Sequence, residues 1–303
     1  MLDYPALSAV AAVIREGSFE RAAQALAITP SAVSQRVRGL EERLGAILVV
    51  RGQPCRPTDL GRTLCAHLER VRLMEMEVAL GLPTTEASET NRPPLRIAVN
   101  SDSLATWFPA AVAAFGRATG ALLNLTLDDE AHTADRLRSG DVLAAVTADA
   151  RSVQGCRTTR LGALRYIACA SPDFAARFFA DGVTPTSLSA APCLRFDRRD
   201  GLQARWARET LGVEFDAPVH TVASTHAFVD FALAGLAWGM QPAALAAPHL
   251  ATGHLVALTP DGTLDVMLYW TVARLPVASL PRLTDAVRAA AKAALVQAGT
   301  TAS

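Results

Sequence analysis

Residues Ala22–Glu42 read AAQALAITPSAVSQRVRGLEE, and the stretch predicts two helices joined by a tight turn. Thr29 is placed to cap the second helix, and Pro30 falls at its first position, where a missing N–H costs nothing. Val33, Val37, Leu40 and Leu44 then recur at helical spacing and are expected to face a core. Ser31, Ser34, Gln35 and Arg38 lie on another side of the same helix. Short hydroxyls, an amide and a guanidinium are the groups that reach phosphates and base edges. Between Arg21 and Arg38 the chain carries three arginines and no acid. The pattern suits a helix lying in the major groove of duplex DNA. A plainer reading, in which Ser31 and Ser34 are merely solvated, stands beside it.

Working outward, Pro5–Glu16 is expected to be helical, with Leu7, Val10, Ala11 and Ile14 on one face and a break at Gly17-Ser18-Phe19. A short helix over Glu20–Ala27 follows, whose Ala22 and Ala23 admit close packing. After Gly45, Ile47–Arg51 reads as a strand, Gly52-Gln53-Pro54 as a turn and Cys55-Arg56-Pro57 as a return. This is a β-wing, with Arg51 and Arg56 placed for flanking phosphates. A long helix is expected from Thr58 to about Gly81. On it Leu64, His67, Val71, Met74 and Val78 alternate spacings of three and four, a seam suited to pairing with a second copy. The same stripe can instead pack on its own domain, and His67 reads as a packing residue. Residues 83–94 are polar and bounded by prolines, as a hinge would be.

Beyond the hinge, strands alternate with helices, which predicts a parallel sheet with helices on both faces. Residues 95–303 are long for one such layer, so two lobes with a cleft are expected. In open α/β sheets ligands bind at the carboxyl ends of strands, where helices begin. Asn100, Ser101 and Asp102 follow the first strand, Asp128-Asp129-Glu130 the second, and Thr147 ends the third. Ser224, Thr225 and His226 precede a helix in the second lobe. Backbone N–H groups and the Ser101 hydroxyl suit a carboxylate, whereas Asp102, Asp129 and Glu130 suit ammonium groups. Such an excess of acids favours a cationic ligand. The bland alternatives are that the acids cap the next helix and that His226 is a surface residue. Trp107 is expected in the core.

Across 303 residues the net charge is zero, so any nucleic-acid binding must rest on a local patch. The five cysteines are odd in number and scattered, without a C-x-x-C pair. They read as reduced thiols of a cytoplasmic protein, with redox sensing as the minor alternative. The start lacks a signal-peptide pattern, and no run approaches the ~18 apolar residues of a membrane span. G-x-S-x-G, H-E-x-x-H, G-x-G-x-x-G and phosphate-loop motifs are missing, and six histidines show no metal spacing. Neither an enzyme, a metal site nor a cofactor is expected.

The segment FERAAQALAITPSAVSQRVRGLEERLG, Phe19–Gly45, resembles the winged helix-turn-helix of LysR-type transcriptional regulators. Length, linker helix and two-lobed C-terminal part extend that resemblance to the whole chain. Val13–Ala23, Val99–Trp107, Asp128–Glu130 and Met267–Trp270 are similar to its ArgP/LysG branch. Members of that branch sense lysine or arginine and activate a gene for a basic amino-acid exporter. The resemblance implies an N-terminal all-α winged helix-turn-helix (1–58), a dimerisation helix (59–82), a hinge (83–94) and a C-terminal α/β effector domain (95–303). The last is two-lobed, like a type 2 periplasmic binding protein, with lobe I about 95–165 and 267–303 and lobe II about 166–266. The family's DNA contacts carry over to Thr29, Pro30, Ser31, Ser34, Gln35 and Arg38, with Arg51 on the wing. Implied partners are promoter DNA, L-lysine or L-arginine, RNA polymerase and further copies in a homodimer or homotetramer. Two other readings stay open: a regulator of this type with a different effector, and a solute-binding protein or enzyme using the two-lobed domain directly.

Overall fold

A computed structural model of the chain describes residues 2–80, 94–127, 130–260 and 262–297. Residues 83–93 of the expected hinge, Asp128, Asp129 and the Glu130 side chain lie outside the described residues.

The N-terminal unit packs α1 (Tyr4–Glu16), α2 (Phe19–Ala25) and α3 (Pro30–Leu44) around Leu7, Val10, Val13, Val33, Val37 and Leu40. Each start is capped, at Thr29 as the sequence predicts and at Asp3 and Ser18 besides: the Asp3, Ser18 and Thr29 side chains accept the backbone N–H of Ala6, Arg21 and Ala32. Ala22 and Ala23 are buried, and with only a methyl each they let α2 approach α1 and α3 closely. α2 ends two residues earlier than expected, and Ala27 takes the left-handed conformation (φ 52°) that turns the chain towards α3. Leu44 departs from the expectation. It is 39% exposed, as the last residue of α3 before Gly45 closes the helix.

The wing pairs β1 (Val49–Val50) with β2 (Arg56–Pro57) in antiparallel register. It is tied to α3 by Glu41, whose Oε1 accepts from the backbone N–H of Leu48 at 2.7 Å and of Val49 at 3.2 Å. The linker helix α4 (Asp59–Leu80) leaves the wing through Gly61, which faces the Leu48 carbonyl. Its Leu68 belongs to the N-terminal core, whereas Leu73 and Met74 pack into the C-terminal core.

The C-terminal domain runs β3 (Leu95–Val99), α5 (Ser101–Ala105), α6 (Phe108–Thr119), β4 (Leu123–Leu127), α7 (Glu130–Ser139), β5 (Ala144–Thr147) and β6 (Cys156–Ala170). Then come α8 (Pro172–Phe178), α9 (Pro185–Ala190), β7 (Cys193–Arg195), α10 (Leu202–Trp206, extended by a π turn), β8 (Val219–Thr221) and α11 (Thr225–Leu233). The chain closes with β9 (Gly239–Pro242), α12 (Ala243–Ala251), β10 (Val256–Ala257), β11 (Thr263–Ala273) and α13 (Ser279–Ala294). The main sheet has the order β10-β6-β11-β5-β3-β4, with β9 also on β6.

An all-parallel sheet is therefore not what forms. β3 is parallel to β4 and β5, but β11 is antiparallel to both β5 and β6. The long β6–β11 pair joins the β3-β4-β5 layer to β9 and β10, so one continuous sheet serves both lobes, while β7 and β8 form a separate two-stranded parallel sheet. β6 starts ten residues before the apolar run Tyr166–Ala170 that the sequence marks as a strand, because the polar run Arg157–Arg160 is held by its pairing with β11 rather than by apolar alternation. The core under this sheet holds Trp107, Phe108, Phe115, Trp270, Leu283 and Val287, so Trp107 packs as expected.

A Cβ added at Gly61 would stand 2.1 Å from the Leu48 carbonyl oxygen, and backbone cannot swing aside as a side chain can. Gly61→Ala is accordingly expected to destabilise the N-terminal unit by about 1–3 kcal/mol, the usual range for forced overpacking. Urea unfolding of wild type and variant, followed by helical circular dichroism, measures the difference.

Candidate functional site

Two regions gather the residues that the sequence marks for chemistry. The first is the outer side of α3 with the wing. Thr29, Pro30, Ser31, Gln35, Arg38, Arg51 and Arg56 are all exposed, and Ser34 is half-buried. Thr29 Oγ1 caps α3 and also meets Ser31 Oγ at 3.0 Å, which orients both hydroxyls at the start of the helix. Arg51 lies over the Phe19 ring, 5.2 Å from its centroid, and this contact steadies the wing cation beside α2. The apolar side of α3 is meanwhile consumed: Val33, Val37 and Leu40 are buried. What the helix offers outward is a hydroxyl, amide and guanidinium surface.

The second region lies where β3, β4 and β5 end together, with Val99 in register with Leu127 on one side and Val146 on the other. The chain after β3 turns into α5, capped by Asn100 Oδ1, which accepts the Ser103 N–H at 2.9 Å. This turn sets Ser101 and Asp102 against the first residue of α11. Ser101 Oγ lies 2.8 Å from Thr225 Oγ1, and the Thr225 hydroxyl donates to Asp102 Oδ1 at 2.6 Å. The Tyr166 hydroxyl, from β6, donates to Asp102 Oδ2 at 2.6 Å. One carboxylate thus ties three elements together.

Of the expected residues, Asn100, Ser101, Asp102 and Thr225 meet here, and Ser224 sits beside them as the cap of α11. Thr147 is buried at the end of β5, where its hydroxyl accepts the Asp149 N–H. His226 is exposed and outside the network. Tyr166 and Asp200 belong to the site without having been singled out from the sequence. Asp200 accepts the N–H groups of Phe196 and Leu202 in the loop after β7. On the linker helix, the Tyr4 hydroxyl meets His67 at 3.1 Å, Leu64 packs on the N-terminal core and Met74 on the C-terminal core. Val71 is half-buried, and Val78 is exposed.

Burial pushes the Asp102 carboxyl above the ordinary carboxylate range; the Thr225 and Tyr166 hydroxyls pull it back, and the negative charge of Asp200 adds to the upward push. Among the described residues no arginine, lysine or histidine pairs with Asp102. A half-buried carboxylate short of a counter-charge is a place where an ammonium or guanidinium gains attraction. Cysteine chemistry points elsewhere: burial pushes Cys65 and Cys193 up to about 11 and Cys169 up to about 12. Such thiols stay protonated at neutral pH and resist oxidation. Among the described residues, no three metal-ligating side chains come together.

The chain matches known families over both of its parts. Residues 5–62 match the family "Bacterial regulatory helix-turn-helix protein, lysR family", and residues 88–294 match "LysR substrate binding domain". The chain is 43% identical over 298 residues to the HTH-type transcriptional regulator ArgP of Pseudomonas aeruginosa, covering 98% of each. It is 42% identical over 290 residues to LysG of Mycobacterium tuberculosis, covering 96% of this chain and 94% of the relative. The crystal structure of ArgP from Mycobacterium tuberculosis superposes with a TM-score of 0.83 at 41% identity, over 98% of this chain and 99% of that one. Full-length LysG of Corynebacterium glutamicum with bound effector Arg gives 0.73 at 40% identity, over 98% and 100%.

The causes of the Asp102 shift make a prediction of sign. Thr225→Val and Tyr166→Phe each remove a hydrogen bond to the ionised form, so each is expected to raise the Asp102 pKa further. Asp200→Asn removes a like charge and is expected to lower it. Carboxyl-carbon NMR titration of the selectively labelled protein reads all three.

Proposed function

The chain belongs to the LysR family of transcriptional regulators, and from that premise we propose that it senses arginine or lysine at Asp102 and controls transcription from a promoter. α3 with the wing reads the DNA, and the cleft between β3, β6 and α11 takes the amino acid. The observation that carries the effector reading is the Asp102 carboxylate itself, bonded to two hydroxyls and paired with no cation among the described residues. An ionised carboxylate offers about four acceptor positions, so room is left for a cation beside Thr225 and Tyr166. The bound arginine of the LysG relative supports the same reading.

On this reading the protein is a regulator, not an enzyme. The branch resemblance extends it to activation of a basic amino-acid exporter gene, with RNA polymerase as the further partner. Val71 and Val78 are the part of the α4 seam left for a second copy in a homodimer or homotetramer. Cytoplasmic location follows from the role. On the same reading the DNA-binding unit ends near residue 58 and the effector domain begins near residue 95.

Calorimetry with the full-length protein tests the effector. L-arginine and L-lysine are expected to bind, whereas citrulline, which keeps the shape of arginine without its charge, is not. Asp102→Asn is expected to weaken arginine binding by about 2–5 kcal/mol, as when one partner of a desolvated charge pair is removed. Arginine stays cationic throughout the acidic range, so its affinity should decline as pH falls through the raised Asp102 pKa. Citrulline binding as tightly as arginine would overturn the reading.

For the DNA side, Arg38→Ala is expected to cost about 1–3 kcal/mol on the cognate duplex and little on a scrambled one if the guanidinium meets a base edge. An equal loss on both duplexes, at one salt concentration, assigns it to a phosphate.

A further inference from the structure

The far end of α7 is gripped by the linker helix. Arg70, half-buried on α4, donates from Nη2 to the carbonyl of Ser139, the last residue of α7, at 3.2 Å. Its guanidinium lies so close to Gly140 that a Cβ there would stand 2.6 Å from Arg70 Cζ. Gly140 has φ 75°, the left-handed turn that glycine supplies where a helix ends. Among the described residues Arg70 bonds otherwise to the Ala66 carbonyl of its own helix, and no carboxylate pairs with it. Its charge therefore faces the negative end of the α7 dipole.

The surroundings make this junction stiff. Arg96 donates to the Gly140 carbonyl at 3.3 Å, and Asp141 is held by Arg136 at 2.9 Å and Arg96 at 3.8 Å. Leu73 and Met74, next along α4, are packed into the C-terminal core. On the DNA side, Arg72 of the same helix donates to Ser8 Oγ of α1 at 3.0 Å, and Leu68 is in the N-terminal core. At its other end α7 begins at Glu130, after β4, on the sheet edge that carries Asn100–Asp102. Ten helical residues span about 15 Å, so α7 is a short rod from the cleft rim to the linker helix.

We infer that Arg70 is the positioning residue that couples the effector cleft to the DNA-binding unit, by locking α4 to the end of α7 so that a shift at the cleft end of the rod moves the linker helix. The inference rests on the effector reading above, and the experiment separates the two. Full-length Arg70→Met, which keeps the apolar stem but loses the charge and donors, is compared with wild type on the promoter fragment adjoining its gene. Calorimetric L-arginine binding and DNA affinity without arginine are expected to be unchanged. The ratio of DNA affinities with and without arginine, about 5- to 150-fold either way for a typical coupling, is expected to collapse towards one. Arg70→Gln, which retains an amide donor, should lie between, and it carries the test if Arg70→Met does not fold. A full wild-type response in the folded variant overturns the coupling.

Should wild type bind neither arginine nor lysine, it is the effector reading that fails. The coupling is then read without ligand, by amide hydrogen exchange. Arg70→Met must speed exchange in α4 and in the last turn of α7 together, and unchanged exchange in either overturns the inference.

Discussion

The carboxylate of Asp102 sits where α5, β6 and α11 converge, and its two oxygens are claimed by hydroxyls from the other two elements. A half-buried charge held only by hydroxyls is costly, and the cost is visible in the upward push on its pKa. On the function proposed above, that carboxylate is what makes the cleft a sensor. A cation arriving there would gain an attraction that no basic side chain among the described residues supplies. Tyr166 and Thr225 keep the carboxylate placed meanwhile, so little reorganisation is needed when the ligand enters.

Sensing must then alter DNA. An effector shifts a conformational equilibrium only by its difference in affinity for the two arrangements, typically ~1–3 kcal/mol. Bending a short DNA site costs of order 1–6 kcal/mol, so a coupling of that size is enough to change a bend angle or the spacing of two DNA-binding units. On the coupling proposed above, such a small energy would travel through the packing of α4. The helix shares Leu68 with the N-terminal core and Leu73 and Met74 with the C-terminal core, and close-packed cores transmit displacement rather than absorb it.

How far the sequence made this legible differs along the chain. α3 was readable because its signals are local: Thr29 caps, Pro30 starts, Gly45 stops, and Val33, Val37 and Leu40 mark the buried face. Leu44 keeps the same spacing, yet as the last residue of the helix it is exposed. The effector domain was readable as strand–helix alternation but not as a sheet order, since β6 and β11 pair across about a hundred residues of intervening chain. Parallel strands were inferred where the longest pair is antiparallel. Asn100, Ser101, Asp102 and Thr225 stand out in the sequence by their position after a strand or before a helix, a rule that needs only local reading, and the fold brings these four together. Tyr166 was missed because it sits in the apolar run Tyr166–Ala170 and looks like core, as indeed its ring is. Asp200 was missed because Asp197–Asp200 reads as a solvated charge cluster until the fold turns Asp200 towards Asp102. Arg70 carries no motif, and its meaning appears only when α4 is laid against Gly140.

Proton release on arginine binding tests the central claim most directly. Arginine does not titrate in mildly acidic solution, so a proton lost on binding there must come from the protein. Calorimetry of L-arginine binding in buffers of differing ionisation enthalpy counts that proton. The account predicts net release that grows as pH falls through the Asp102 pKa and vanishes in Asp102→Asn. Binding without proton release at any acidic pH, or release that persists in Asp102→Asn, would contradict it.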